Sequence, residues 1–138
     1  MEQIIEDLKR DEGFRGVPYV CTGGMLTVGY GRNLVSNGLT ENEADYLLRN
    51  DVARAIIDLQ ILSFWAGLSS VRRDVLVNMC VNLGFDGLMQ FKKMLKALAD
   101  RDYRLAADEM IRSRWYTQTG SRARRLVGMM IRNERECV

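Results

Sequence analysis

The sequence predicts an α+β fold in which a small N-terminal antiparallel sheet is joined by a long helix to an all-helical C-terminal part. Apolar residues recur at helical spacing over most of the chain. The stretch 14–35 differs, because five glycines divide it into short apolar pieces typical of a β-meander. A length of 138 residues, 47% of them hydrophobic, fits a single domain that buries a core.

Three elements are expected in the N-terminal part. The apolar spacing predicts a short helix over 2–11 that ends before Gly13. The meander occupies 14–35. Thr40, followed three residues later by Glu43, is a capping box, so a long helix of roughly 18 residues should follow it.

Four further helices are expected in the C-terminal part. The first follows Ser70 and stops at Gly84, where glycine readily takes the left-handed conformation. The others cover 88–99, 102–112 and 121–135.

We therefore expect a single domain, 1–138, with two lobes. One lobe comprises about 12–60, the sheet and the connecting helix, and the other comprises about 61–138 together with the helix 1–11. Clefts between such lobes are common ligand sites.

Composition excludes several classes of site. The chain has no histidine, which rules out Ser-His-Asp triads, Cys-His dyads, HExxH zinc sites and zinc fingers. Its cysteines, Cys21, Cys80 and Cys137, have no CxxC spacing, so neither a disulfide framework nor a metal site is indicated. We expect neither a metal nor an organic cofactor.

The sequence also carries expectations about location. No stretch approaches the roughly 20 apolar residues of a membrane span, and no signal peptide is recognisable. Free thiols are typical of a reducing compartment, so the protein is expected in the cytoplasm without stable membrane association.

Charge is polarised along the chain. The net charge is −4 over 1–60, +2 over 61–100 and +4 over 101–138. The basic C-terminal third could face an anionic polymer, either nucleic acid or cell wall, or it could be a solvated helix face. A near-neutral total charge and the lack of interleaved basic and aromatic residues argue against nucleic acid.

Glu12 is the first candidate for chemistry. It falls at a predicted helix C-terminus beside Gly13, where the negative end of the helix dipole favours a protonated carboxyl, as a general acid requires. A solvated helix-end residue is the alternative. In the following hairpin, Thr27 is polar between two apolar residues and can position a water molecule.

Together these residues resemble the phage lysozymes, glycoside hydrolase family 24. The sequence DEG at 11–13 and YVCTGGMLTVGYG at 19–31 are similar to the catalytic stretch of that family. LTENEA at 39–44, NDV at 50–52, VRR at 71–73, VNM at 77–79 and LG at 83–84 are similar to its inter-lobe and central helices. SRWYTQT at 113–119 with RARR at 122–125 closely resembles the C-terminal motif of the T-even coliphage lysozymes.

The resemblance implies hydrolysis of the β-1,4 bond between N-acetylmuramic acid and N-acetylglucosamine in peptidoglycan. Glu12 matches the general acid and Thr27 the threonine that helps to hold the attacking water. The resemblance further implies substrate-binding roles for Asn33, Val81, Asn82, Glu109 and Arg114. The resemblance also favours a monomer. Because no signal sequence or anchor is recognisable, we expect an endolysin that accumulates in the host cytoplasm and depends on a holin pore to reach the wall.

One departure from the family concerns Cys21. It stands where the family has an aspartate, and no other Asp or Glu occurs between Glu12 and Glu41. The usual scheme of one acid and one base therefore lacks its second carboxylate. Arg32 also replaces the usual histidine, and a structural ion pair is expected to survive there in altered form.

Three interpretations of Cys21 remain open. In the first, a Cys21 thiolate, favoured by nearby cations, acts as a base or a nucleophile. In the second, the substrate's acetamido group or an oriented water molecule performs that role. In the third, Cys21 is a small packed residue in a degenerate lysozyme that binds glycan but cleaves poorly. An active thiol predicts inhibition by alkylation or oxidation, with Cys80, expected to be buried, as the inert control.

Overall fold

The computed structural model describes residues 1–135 of the chain and confirms the α+β class. The chain forms two compact units, one over 1–47 and one beginning at Leu48. The described part contains three strands in one antiparallel sheet and eight α-helices. Cys137 lies outside the described residues. No helix in the described part is long and apolar enough to cross a membrane.

The first unit begins with helix α1, Glu2–Glu12, as the apolar spacing predicts. Gly13 ends the helix with φ 72° and ψ 154°, a combination that is essentially restricted to glycine. Its N–H still donates to the carbonyl oxygen of Lys9 at 2.9 Å, which closes the last turn. Glu12 is therefore held at the end of a regular helix.

The predicted meander is confirmed as a sheet of order β1-β2-β3. Its strands are β1 (Arg15–Val20), β2 (Leu26–Gly29) and β3 (Arg32–Asn33). The register of β1 against β2 is irregular between Arg15 and Tyr19. Pro18 lies in that interval. Proline has no backbone N–H to donate to a neighbouring strand, so it is tolerated in an edge strand such as β1 but not in a central strand.

Helix α2, Glu41–Leu59, starts with the predicted capping box. The Glu43 N–H donates to Thr40 Oγ1 at 3.2 Å, and the Thr40 N–H donates to Glu43 Oε1 at 3.3 Å. These two bonds satisfy backbone donors that a helix N-terminus otherwise leaves free. The observed length of 19 residues agrees with the predicted long helix.

The helices of the second unit surround a continuous apolar core. They are α3 (Ser70–Leu83), α4 (Phe85–Met89), α5 (Lys92–Ala99), α6 (Tyr103–Ile111), α7 (Arg114–Thr119) and α8 (Ser121–Arg132). Fully buried residues of this core include Leu59, Val75, Leu76, Met79, Leu88, Met94, Leu98, Met110, Leu126 and Met130. Four residues of this set are methionines, whose flexible side chains fill irregular space in the core.

One predicted helix and one predicted cap conformation in the second unit are wrong, although α3 does end at Gly84 as predicted. The single helix expected over 88–99 is two helices, because α4 ends at Met89, Phe91 leaves helical geometry with φ −78° and ψ 56°, and a new helix starts at Lys92. Gly84 does adopt a positive φ, 76°, but its ψ of 158° lies outside the left-handed helical region. It both ends α3 and precedes α4, so the backbone must change direction there.

Helix α7 is not among the predicted helices. It has only six residues, too few to show an apolar period. Ser113 caps it by accepting a hydrogen bond from the Tyr116 N–H, and Gly120 ends it with φ 66°. The serine and glycine were readable start and stop signals.

Candidate active site

Glu12 is the last residue of α1, and its side chain is exposed. Its carboxyl lies against Gly31, in the turn between β2 and β3. A Cβ built on Gly31 would be 2.6 Å from Glu12 Oε2 and 2.9 Å from Cδ. The backbone of the turn therefore approaches the predicted general acid closely, which is possible because Gly31 has no side chain. The Glu12 side chain stays exposed to solvent.

Cys21 lies in the turn between β1 and β2. The Gly24 N–H donates to the Cys21 carbonyl at 2.8 Å, which closes a β-turn, and the Cys21 N–H donates to the carbonyl oxygen of Met25 at 2.9 Å. Gly24 has φ 81°, as hairpins with a glycine bulge require. The thiol is free and partly exposed.

The turn lowers the pKa of the Cys21 thiol below its ordinary value. The causes, largest first, are hydrogen bonds from the Met25 backbone, the Thr27 side chain and the Gly23 backbone. Donors of the turn therefore stabilise the thiolate, whereas nearby cations were expected from the sequence. Burial instead raises the pKa of Cys80, and this thiol is buried as predicted.

Thr27 is the one buried polar residue of the described chain, with 3% of its surface exposed. Its Oγ1 lies 2.9 Å from the carbonyl oxygen of Met25 and donates to it. The hydroxyl has a single proton. It can therefore serve either the Met25 carbonyl or the Cys21 sulfur, and we assign it to the sulfur when Cys21 is ionised, because bonds to charged acceptors are stronger.

Thr27 pairs with Asn33 on β3 and with Tyr19 on β1. Paired residues point to the same face of a sheet, so Asn33 is beside Thr27. Its Oδ1 accepts the N–H groups of Val35 and Ser36, both at 3.0 Å, and thereby holds the turn after β3.

Arg32 retains an ion pair, as expected, with Glu43 as its acid. Arg32 Nη1 lies 3.0 Å from Glu43 Oε2 and donates to the carbonyl oxygen of Gly38 at 3.1 Å. The Thr40 hydroxyl and N–H lower the pKa of Glu43 most, and Arg32 adds to the effect. This network connects the end of the sheet to the start of α2.

Two predicted binding residues lie at the end of α3. Asn82 Oδ1 accepts a hydrogen bond of 2.8 Å from Nε1 of Trp115, whose ring is only 6% exposed. Val81 is half-buried and packs against the core. Asn82 thus positions an aromatic side chain, a contact between α3 and α7 that the sequence alone did not indicate.

The other two, Glu109 and Arg114, line an open cavity of about 570 Å³ within the second unit. Glu109 is paired with Arg112 at 2.7 Å. The remaining lining residues are mainly apolar or basic and were not predicted: Leu83, Gln90, Phe91, Lys92, Lys93, Met94, Arg112, Ser113, Trp115 and Gln118. The signal for several of them was the SRWYTQT motif, which supplies four of the lining residues.

No three His, Cys, Asp or Glu side chains among residues 1–135 lie together as metal ligands would. The chemistry assembled in the first unit therefore consists of a carboxyl, a polarised thiol and a buried hydroxyl. These groups suit proton transfer to and from a substrate and a water molecule.

The chain is similar in sequence to several known proteins. The probable T4-type lysozyme 1 of Dictyostelium discoideum is 24% identical, over 94% of each chain. An endolysin of Acyrthosiphon pisum secondary endosymbiont phage 1 is 31% identical, over 76% of this chain and 73% of its own. The pre-baseplate central spike protein Gp5 of Enterobacteria phage T4 is 28% identical over 93% of this chain, which corresponds to 27% of that protein.

The family model of the phage lysozymes matches residues 9–136, a range that includes Glu12, Cys21 and Thr27 as well as the C-terminal motif. Such a match spans both units and nearly the whole sequence. The chain therefore belongs to the phage lysozyme family.

Proposed function

We propose that this chain is a muramidase that hydrolyses the β-1,4 bond between N-acetylmuramic acid and N-acetylglucosamine in peptidoglycan. The observation that carries the proposal is the seating of the Glu12 carboxyl over Gly31, at one end of the sheet whose other turn holds the polarised thiol of Cys21. In this proposal Glu12 protonates the glycosidic oxygen, which is otherwise a poor leaving group.

The proposed role of Cys21 is that of a base for the attacking water. The thiolate takes a proton from water, the water oxygen bonds to the anomeric carbon, and the glycosidic bond breaks as Glu12 gives its proton to the leaving oxygen. The lowered pKa of Cys21 supports this role, because it raises the thiolate fraction at neutral pH. Thr27 helps to hold the water through its hydroxyl.

The geometry of the sheet favours a base over a nucleophile. The two turns lie at opposite ends of β2, whose four residues span about 10 Å at ~3.4 Å each. Placement at opposite ends of a strand suits an acid and a base with a water molecule between them, whereas in retaining enzymes the two groups are closer, at roughly 5 Å. We therefore expect inversion at the anomeric carbon.

Release of reducing ends from purified Gram-negative peptidoglycan tests this proposal. We expect wild type to be active and both Glu12→Gln and Cys21→Ser to lose turnover. Asp11→Asn is the matched control for the first variant, since Asp11 is an adjacent exposed acid in an ion pair with Arg10. Cys80→Ser is the control for the second.

The outcomes separate the interpretations of Cys21. Loss of turnover in Glu12→Gln alone would exclude a catalytic role for Cys21 and favour the substrate's own acetamido group or an oriented water molecule. A thioglycosyl adduct on Cys21, seen by mass spectrometry in denatured reaction mixtures, would instead establish a nucleophile. In the proposed scheme no adduct forms, and NMR of the first product shows the α-anomer.

The alternative function is a glycan-binding module with weak or no turnover. Its support is Cys21 itself, since the carboxylate usual in the family is absent. Wild-type protein that binds murein in a pull-down assay but releases no reducing ends, with Glu12→Gln behaving identically, would establish the module and exclude the enzyme.

We further propose that the enzyme acts as an endolysin, as the printed name of its relative from the aphid endosymbiont phage indicates for that protein. The basic C-terminal third, +4 over 101–138, would draw it to an anionic wall. We expect a monomer that lyses host cells only when a holin-type pore protein is co-expressed. Lysis on expression of this chain alone would contradict that dependence.

A further inference from the structure

Two glycines flank Tyr30 in the turn between β2 and β3. Gly29 has φ 71° and Gly31 has φ 74°. Residues with a side chain rarely adopt such values, so alanine at either position meets a similar backbone penalty. The two sites form a natural matched pair.

Their surroundings differ. A Cβ on Gly29 would meet no heavy atom within 4 Å. The three heavy atoms nearest to a Cβ on Gly31 all belong to Glu12, with Oε2 at 2.6 Å, Cδ at 2.9 Å and Cγ at 3.4 Å. At these distances the two groups overlap, so one of them must move.

The group that moves is the carboxyl of Glu12. It is the far end of a flexible, exposed side chain, whereas Gly31 belongs to the hydrogen-bonded turn of a sheet. Rotation of Glu12 into another staggered conformation relieves the overlap at little expense to the fold. It also moves the acid by more than an ångström from its place over the turn.

We propose that Gly31 is a positioning residue for the general acid. The missing side chain at this position creates the space in which the Glu12 carboxyl rests, and any larger residue displaces the carboxyl while leaving the sheet intact. This inference rests on the proposed function, in which Glu12 must reach the glycosidic oxygen within hydrogen-bond distance.

The experiment compares Gly31→Ala with Gly29→Ala. We expect the two variants to show similar falls in melting temperature, because φ is nearly the same at the two positions. Gly31→Ala should lose about 100-fold in kcat, the effect of an acid displaced by about 1 Å, with little change in KM. Gly29→Ala should keep kcat close to that of wild type. Equal kcat in the two variants would overturn the proposal.

A second readout does not depend on turnover. With carboxyl-labelled glutamate, the 13C resonance of Glu12, assigned through Glu12→Gln, should shift in Gly31→Ala and stay in place in Gly29→Ala. If wild type is inactive but the resonance still shifts in Gly31→Ala, the proposed muramidase activity is refuted and the contact between Glu12 and position 31 is supported. An active wild type with no shift would refute the positioning role alone.

A folding failure is also informative. If Gly31→Ala does not fold while Gly29→Ala does, the double variant Glu12→Ala/Gly31→Ala decides the matter. A folded double variant supports Glu12 as the group that the new side chain meets. An unfolded one overturns the proposal, since Glu12 would then not be the obstacle.

Discussion

The hydrogen bond between Trp115 and Asn82 couples α7 to the end of α3, and its strength can be measured directly. The Trp115 Nε1–H donates to Asn82 Oδ1 at 2.8 Å. We expect the variants Asn82→Ala and Trp115→Phe to destabilise the protein in a strongly non-additive way. Each removes one partner, and the double variant removes an interaction that either single change has already broken.

The expected magnitudes follow from burial. Trp115 is 6% exposed, so Asn82→Ala leaves a largely buried donor without its acceptor, which costs about 1–3 kcal/mol. Asn82 is exposed, so water can approach the vacated position and the lower end, about 1 kcal/mol, is expected. Trp115→Phe also loses ring contacts, including part of the edge-to-face packing on Phe91, for about 2 kcal/mol in total.

Urea denaturation followed by circular dichroism measures these values without relying on tryptophan fluorescence. The coupling energy from the four proteins should be about 1 kcal/mol. Additive effects, with the double variant losing the full sum, would refute the hydrogen bond as a source of stability. KM on murein, measured alongside, separates substrate binding by Asn82 from its effect on Trp115, because Trp115→Phe preserves the amide.

Three further predictions concern reactivity, pH and the core. Iodoacetamide should alkylate Cys21 well before Cys80, because donors of the turn lower the pKa of the first thiol while burial raises that of the second. The pKa of Glu43 is lowered chiefly by Thr40. The ionised carboxylate should therefore stabilise the fold at pH values above the ordinary pKa of about 4.3, and this contribution should be lost as the pH falls through the lowered pKa. Leu98→Ala should destabilise by about 2–5 kcal/mol, since Leu98 is fully buried.

Each of these has a measurement that decides it. Peptide mass mapping follows alkylation, and equal rates at the two thiols would contradict the first prediction. For the second, the stability difference between wild type and Glu43→Gln should shrink as pH is lowered below about 4, and a constant difference would count against it. For the third, Leu105→Ala is the control, because Leu105 is 40% exposed and should change stability little.

Much of the fold could be predicted from short stretches of sequence. The capping box of Thr40 and Glu43 predicted the start of α2 because all its contacts join residues three apart. The glycine-rich stretch 14–35 predicted the meander for the same reason, since hairpins depend on local turn chemistry. The break between α4 and α5 was not predicted, because apolar spacing continues across it.

The candidate catalytic residues were also named from the sequence, and their roles stay predictions. Glu12 stands out as an acid at a helix end followed by glycine, and Cys21 as a departure from the family pattern. What the residue types could not convey is the state of the thiol. Its lowered pKa arises from Met25, Thr27 and Gly23, whose directions are set by the closed turn.

The sequence by itself determined the fold class and the family and supplied the candidate catalytic residues, because local periodicity, turn residues and motifs are properties of neighbours along the chain. Tertiary structure alone decided which distant groups meet. The Glu12 carboxyl lies against Gly31, and Asn82 accepts a hydrogen bond from Trp115. These contacts span 19 and 33 residues, and no periodic pattern encodes them, since they depend on how the elements pack.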